Sequence, residues 1–153
     1  MLFRSEQFER DAIAAFAAMR QLAPQLPLSV LGFSLGSGIA AATFSKLGAD
    51  RLILCEAFTS FRHAAAATGL PRPLTALAPP IWDAREPLAA CQSPVLIVHG
   101  ERDRLFPVRM AYDLAGYCSP RAELVLVPDT GHNQPFRKPH VVYWGPILEW
   151  LSR

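Results

Sequence analysis

Three side chains, far apart in the chain, have the types needed to pass a proton along a line: Ser34, Asp103 and His132. Ser34 stands in Gly32-Phe33-Ser34-Leu35-Gly36, a G-x-S-x-G pentapeptide. A serine hydroxyl is a weak nucleophile and needs a base to take its proton. Histidine does this best near neutral pH, and His132 lies in a loop signal, Gly131-His132-Asn133. An imidazole acting as base needs an acceptor on its other nitrogen to fix its tautomer. Asp103, in the segment His99 to Pro107, is the candidate acceptor, and Glu101 and Asp129 are alternatives. Each residue also has a plainer reading. Ser34 could be an ordinary turn serine, Asp103 could cap the helix near Pro107, and His132 could be a backbone-paired loop histidine. His63, His99 and His140 read as structural, with His99 bracing loops at a strand end. The sequence contains neither G-x-G-x-x-G nor G-x-x-x-x-G-K-[ST], so dinucleotide or phosphate cradling has no support.

The elements needed to position these residues follow from hydrophobic pattern. Ser5 can cap a helix with Phe8, Ala12, Phe16 and Met19 on one face. Pro24 and Pro27 end it and open a strand over Leu28 to Phe33. A Gly/Ala-rich helix follows over Leu35 to Leu47 and stops at Gly48. The serine therefore sits on a tight strand-to-helix turn, the context that gives G-x-S-x-G its meaning as a nucleophile elbow. Side chains at positions 32 and 36 are expected to collide with neighbouring backbone. Arg51 to Ala57 and Val95 to His99 do not alternate and read as buried parallel strands. Residues 60–92, broken by Pro71, Pro73, Pro79 and Pro80, read as a small cap or irregular crossover. Val108 to Tyr117 is helical, Glu123 to Val127 is the last strand and Val141 to Leu151 the last helix. Strands alternating with helices imply an α/β fold with about four parallel strands and right-handed crossovers. Ligands bind such sheets outside the carboxyl ends of the strands, where Ser34, Asp103 and His132 all fall.

Composition narrows the class. A chain of 153 residues makes one domain. Its net charge of +2, with scattered arginines, does not fit nucleic-acid binding. No apolar run approaches the roughly 18 residues of a membrane span, and the N-terminus lacks a signal-peptide layout. Cys55, Cys91 and Cys118 are odd in number and match no metal spacing. They are expected to be buried free thiols in a cytoplasmic protein.

On these residues the chain resembles serine hydrolases of the α/β-hydrolase superfamily, most closely the serine-aminopeptidase-like and depalmitoylase-like branches. The order Ser…Asp…His is that of the superfamily. The elbow Gly32 to Gly38, the segment Leu52 to Ser60, the segment Val95 to Gly100 with Asp103 and Pro107, and Val127-Pro128 with Gly131-His132-Asn133 carry the likeness. Ala57 stands where the family usually has proline. The resemblance implies Ser34 as nucleophile, Asp103 as orienting acid and His132 as base, with the Leu35 backbone N–H as one oxyanion donor. It further implies cleavage of an ester, thioester or amide of a small acyl substrate, without metal or organic cofactor. Phe61, Leu70, Leu74, Leu77, Ile81 and Trp82 are candidates for an apolar acyl wall. A haloperoxidase-like or transferase activity could use the same scaffold.

The family core usually has eight strands, several of them ahead of the elbow; here one helix precedes it. The chain thus resembles an N-terminally truncated domain, with Met1 read as an internal start, a short protein completed by a partner or twin, or a decayed enzyme. The first strand should have an open edge, which invites pairing with a second copy or another chain. The last helix should cover only part of its sheet face and leave an apolar patch. A non-catalytic remnant that binds a partner through that surface is the alternative to an enzyme.

Overall fold

The computed structural model describes residues 5–69, 71–137 and 141–153. Leu70 and His140 lie outside the described residues. Four strands, β1 (Ser29–Phe33), β2 (Arg51–Cys55), β3 (Val95–Gly100) and β4 (Ala122–Val127), form one parallel sheet in the order β1-β2-β3-β4. Sequential strands lie side by side because each is followed by a helical crossover. Helix α1 (Ser5–Leu22) precedes the sheet, and α2 (Leu35–Leu47) joins β1 to β2. Between β2 and β3 lie three short helices, α3 (Phe61–Ala67), α4 (Arg72–Thr75) and α5 (Arg85–Ala90). Helix α6 (Arg109–Tyr117) joins β3 to β4, a 3-10 turn covers Gln134–Phe136, and α7 (Val141–Leu151) closes the chain.

The strand period of two splits the core between the faces. Leu52, Leu54, Val95 and Ile97 point one way and pack with Ala40, Phe44, Leu88, Ala111 and Leu114 from α2, α5 and α6. Ile53, Cys55, Leu96 and Val98 point the other way and meet Tyr143, Ile147 and Trp150 of α7. Both faces of β2 and β3 are covered, so these strands are apolar throughout, as parallel central strands must be. Edge strand β1 differs. Leu31 is 44% exposed, whereas Ile53, its register partner on β2, is 1% exposed. Helix α7 packs mainly against β3 and β4.

Helix α1 buries no residue fully. It lies along α2, and an apolar cleft of about 300 Å³ remains between α1, α2 and β1, lined in part by Phe16, Met19, Leu31 and Ile39. The predicted apolar stripe of α1 thus borders a partly open groove. Phe8 instead stacks edge-on against Trp82 at 6.4 Å.

Candidate active site

Ser34 occupies the turn between β1 and α2 with φ 51° and ψ −120°. A non-glycine residue held there carries strain of order 1–3 kcal/mol. Three hydrogen bonds hold it. The Ser34 amide donates to the Cys55 carbonyl at 2.9 Å, and the Ser34 carbonyl accepts from the Ser37 amide at 2.9 Å and the Ser37 hydroxyl at 2.6 Å. Gly32 is required for this turn: a Cβ there would lie 2.5 Å from the Gly36 carbonyl oxygen and 2.7 Å from Ala40 Cβ. Gly36 corrects the expectation from sequence. A Cβ at that position meets nothing within 4 Å, because residue 36 faces the open groove beside β1.

Asp103 follows β3 in a tight loop. One oxygen, Oδ1, accepts from the Leu105 amide at 2.7 Å and the Phe106 amide at 2.9 Å. The capping interpretation of Asp103 therefore holds for one oxygen, and it leaves the other free to act. Oδ2 lies 2.7 Å from His132 Nδ1. Burial pushes the Asp103 carboxyl up, but the hydrogen bonds from His132, Glu56 and Phe106 outweigh it and hold the group at about 2. Glu101 is exposed, and Asp129 pairs with Arg102 at 2.6 Å on the surface, so neither alternative acid faces the imidazole.

His132 comes from the loop after β4. Glu101 N–H donates to Val127 O at 3.1 Å, Arg102 N–H donates to Thr130 O at 2.9 Å, and Gly131 N–H donates to the Gln134 side chain at 2.6 Å. Gly100 permits this approach, since a Cβ there would run into the Thr130 carbonyl. Phe106 stands edge-on to the imidazole at 5.0 Å and Phe33 is tilted against it at 5.7 Å. These rings fix the plane in which His132 Nε2 reaches Ser34 Oγ at 2.8 Å. Nδ1–H donating to the ionised Asp103 leaves Nε2 with a lone pair, which can accept the serine hydroxyl proton. Three residues from three strand ends thus meet in one hydrogen-bonded line. Leu35 opens α2, where its backbone N–H has no intrahelical partner.

The other histidines have separate places. His99 is fully buried and its Nε2–H donates to Phe106 O at 2.9 Å, tying the end of β3 to the far side of the Asp103 loop. His63 Nδ1 contacts Thr59 Oγ1 at 2.6 Å at the start of α3. The expected acyl wall is not continuous. Trp82 is core, packed with Phe58, while Leu74 and Leu77 face solvent.

Glu56 escaped the sequence reading. It ends β2 two residues earlier than expected, with φ 44°, and its side chain is fully buried. Its one signal in the sequence is a carboxylate closing the wholly apolar run Leu52 to Cys55. Glu56, His99 and Asp103 bring one ligand-type atom each within 4.8 Å of one another. They fit a metal poorly, because His99 Nε2 serves the Phe106 carbonyl and Asp103 serves His132 and two amides.

Comparison with known proteins agrees with this architecture. The profile of the α/β hydrolase fold family matches residues 75–139. An uncharacterized protein of Mycobacterium tuberculosis is 28% identical over 108 residues, covering 71% of this chain and 38% of that protein. The chain therefore spans well under half the length of this curated relative. The esterase domain of a Rhodothermus marinus protein superposes with a TM-score of 0.72 at 16% identity, over 94% of this chain and 67% of that one. An esterase from Exiguobacterium antarcticum gives 0.70 at 16% identity, over 95% and 74%. A Pyrococcus furiosus esterase gives 0.71 at 18% identity, over 95% and 61%. With its four parallel strands, its crossover helices and the sharp turn that carries Ser34, the chain is a partial α/β-hydrolase fold.

Proposed function

We propose that this chain carries the reacting residues of a serine hydrolase that cleaves a carboxylic ester, thioester or amide through an acyl-Ser34 intermediate. The observation that carries the reading is the unbroken line from Ser34 Oγ to His132 Nε2, 2.8 Å, and from His132 Nδ1 to Asp103 Oδ2, 2.7 Å. His132 takes the hydroxyl proton as Ser34 Oγ bonds to the acyl carbon. The imidazolium, stabilised by Asp103, then protonates the leaving group as its bond to the acyl carbon breaks. In the second half, His132 deprotonates water as it attacks the acyl carbon, and the imidazolium then returns that proton to Ser34 Oγ as the acyl–oxygen bond breaks and the acid leaves. The Leu35 backbone N–H is one donor to the developing oxyanion. The esterases of similar fold favour an ester among the candidate bonds.

The test is covalent labelling by a fluorophosphonate, which reacts with an activated serine. The native chain should label and Ser34→Ala should not; equal labelling of the two refutes Ser34 as nucleophile. A second reading, a non-catalytic binding module, draws on the exposed Leu31 and the open β1 edge. It predicts a stable oligomer or complex by size-exclusion chromatography with light scattering, together with no labelling.

A further inference from the structure

Behind the Ser34–His132–Asp103 line sits a second carboxyl that the proposed reaction does not use. Glu56 is buried to 0% exposure at the end of β2. Its Oε1 accepts from the Gly100 amide at 2.9 Å. Its Oε2 has no donor in hydrogen-bonding geometry. Oε2 lies 3.6 Å from His99 Nε2, whose N–H is already given to Phe106 O, and Asp103 Oδ2 lies 3.5 Å from the same nitrogen. The groups facing Glu56 are the Asp103 carboxyl from its loop, His99 from β3, the neighbouring Cys55 thiol and the Tyr143 hydroxyl from α7. No lysine or arginine pairs with it among the described residues. Burial keeps His99 neutral by lowering its pKa, against the opposing pull of Phe106 O and Asp103.

Two carboxyls sharing a dry space do not both ionise. Hydrogen-bond count decides which keeps the proton. Asp103 receives His132 Nδ1–H and two amides, while Glu56 receives one amide on Oε1 and the weaker pull of the Tyr143 hydroxyl, which also donates to Val98 O. We propose that Glu56 is a proton-holding positioning residue: a neutral carboxylic acid whose Oε2–H donates to the Asp103 carboxylate and steadies it against His132. This role rests on the hydrolase reading above. It accounts for the unpaired Oε2, which gains a partner once it carries a proton. It is also consistent with electrostatics, since burial first, and then Asp103, push the Glu56 carboxyl up to about 8 against the pull of the Gly100 amide and the Tyr143 hydroxyl. When Glu56 ionises, it loses its donor and sets a second negative charge beside Asp103, which moves the carboxylate off the imidazole.

The experiment pairs two readouts on the whole chain. Carbon-13 NMR of δ-labelled glutamate, followed from pH 4 to 10, should show one carboxyl titrating near pH 8 that is absent in Glu56→Gln. Fluorophosphonate labelling of Ser34 should fall above that pH in the native chain. Glu56→Gln keeps an N–H donor to Asp103, so it should label at the native neutral-pH rate and show no alkaline fall. Glu56→Leu, confirmed folded by circular dichroism, should label roughly tenfold or more slowly, the size expected for one lost hydrogen bond to a buried charge. Normal labelling with every glutamate titrating below pH 6, an alkaline fall that survives in Glu56→Gln, or equal rates in the Gln and Leu variants overturns the role of Glu56 alone. Absence of labelling in the native chain overturns the hydrolase reading and the positioning role with it.

Discussion

Asp103 makes two kinds of contact, and a pair of substitutions separates them. Oδ1 holds two amides of its own loop and Oδ2 holds the imidazole. Asp103→Asn keeps an acceptor for the Leu105 and Phe106 amides. It places an N–H₂ against His132 Nδ1, which then becomes the acceptor, and the ring proton moves to Nε2. Under the proposed mechanism His132 is then in the wrong tautomer to take the Ser34 proton, and a loss of about 10⁴-fold in reactivity is expected. Asp103→Ala removes the oxygen that accepts from both amides, leaving them unpaired at about 1–3 kcal/mol each, so it should be less stable than the Asn variant by about 2–6 kcal/mol. The charge itself has a pH signature. The folded carboxyl sits at about 2, below the ordinary carboxylate value near 3.9, so ionised Asp103 stabilises the fold by about 2–3 kcal/mol above pH 4. That contribution is lost as pH falls through about 4 toward 2, where native and Asn proteins should converge. Urea unfolding monitored by tryptophan fluorescence at pH 7 and pH 3, together with fluorophosphonate labelling rates, reads both effects. Native-like labelling of the Asn variant refutes the tautomer argument, and equal stability of the Ala and Asn variants refutes the loop-capping one.

Two further outcomes follow from packing. Gly32→Ala forces a Cβ against the Gly36 carbonyl and Ala40, and urea unfolding should show a loss of about 1–3 kcal/mol or more. Gly36→Ala has open space on a helix and should be neutral or stabilising by up to about 1 kcal/mol. Cys55 and Cys118 are buried, and burial pushes their thiols up to about 12 and about 11. Neither should react with an aromatic disulfide reagent at pH 8 until urea is added. Rapid reaction of either in the native state contradicts the packing around it.

The parallel α/β sheet was legible because its signals are local. Val95 to Gly100 and Leu52 to Cys55 are runs too apolar for anything but covered strands, and Gly48 ends α2 in the left-handed conformation at φ 63°. Ser34 was legible because G-x-S-x-G between a strand and a helix has one steric solution, and Gly32 is the residue that makes it possible. Asp103 and His132 stood out by type and by place after strand ends. Asp103 was preferred from sequence over Glu101 and Asp129, but only coordinates show which acid faces the imidazole, because all three lie in or beside polar loops and direction alone separates them.

Chain chemistry alone therefore carried the strand–helix alternation, the strained serine turn and the residue types of a proton relay, since each depends on neighbours a few positions away. Distances across the sheet did not. Whether an imidazole 98 residues from a serine comes to 2.8 Å, whether Gly36 is crowded, and that Glu56 lies buried behind Asp103 all depend on how separate strands are stacked and which edge is left bare. Those are properties of packing between distant segments, and no local pattern encodes them.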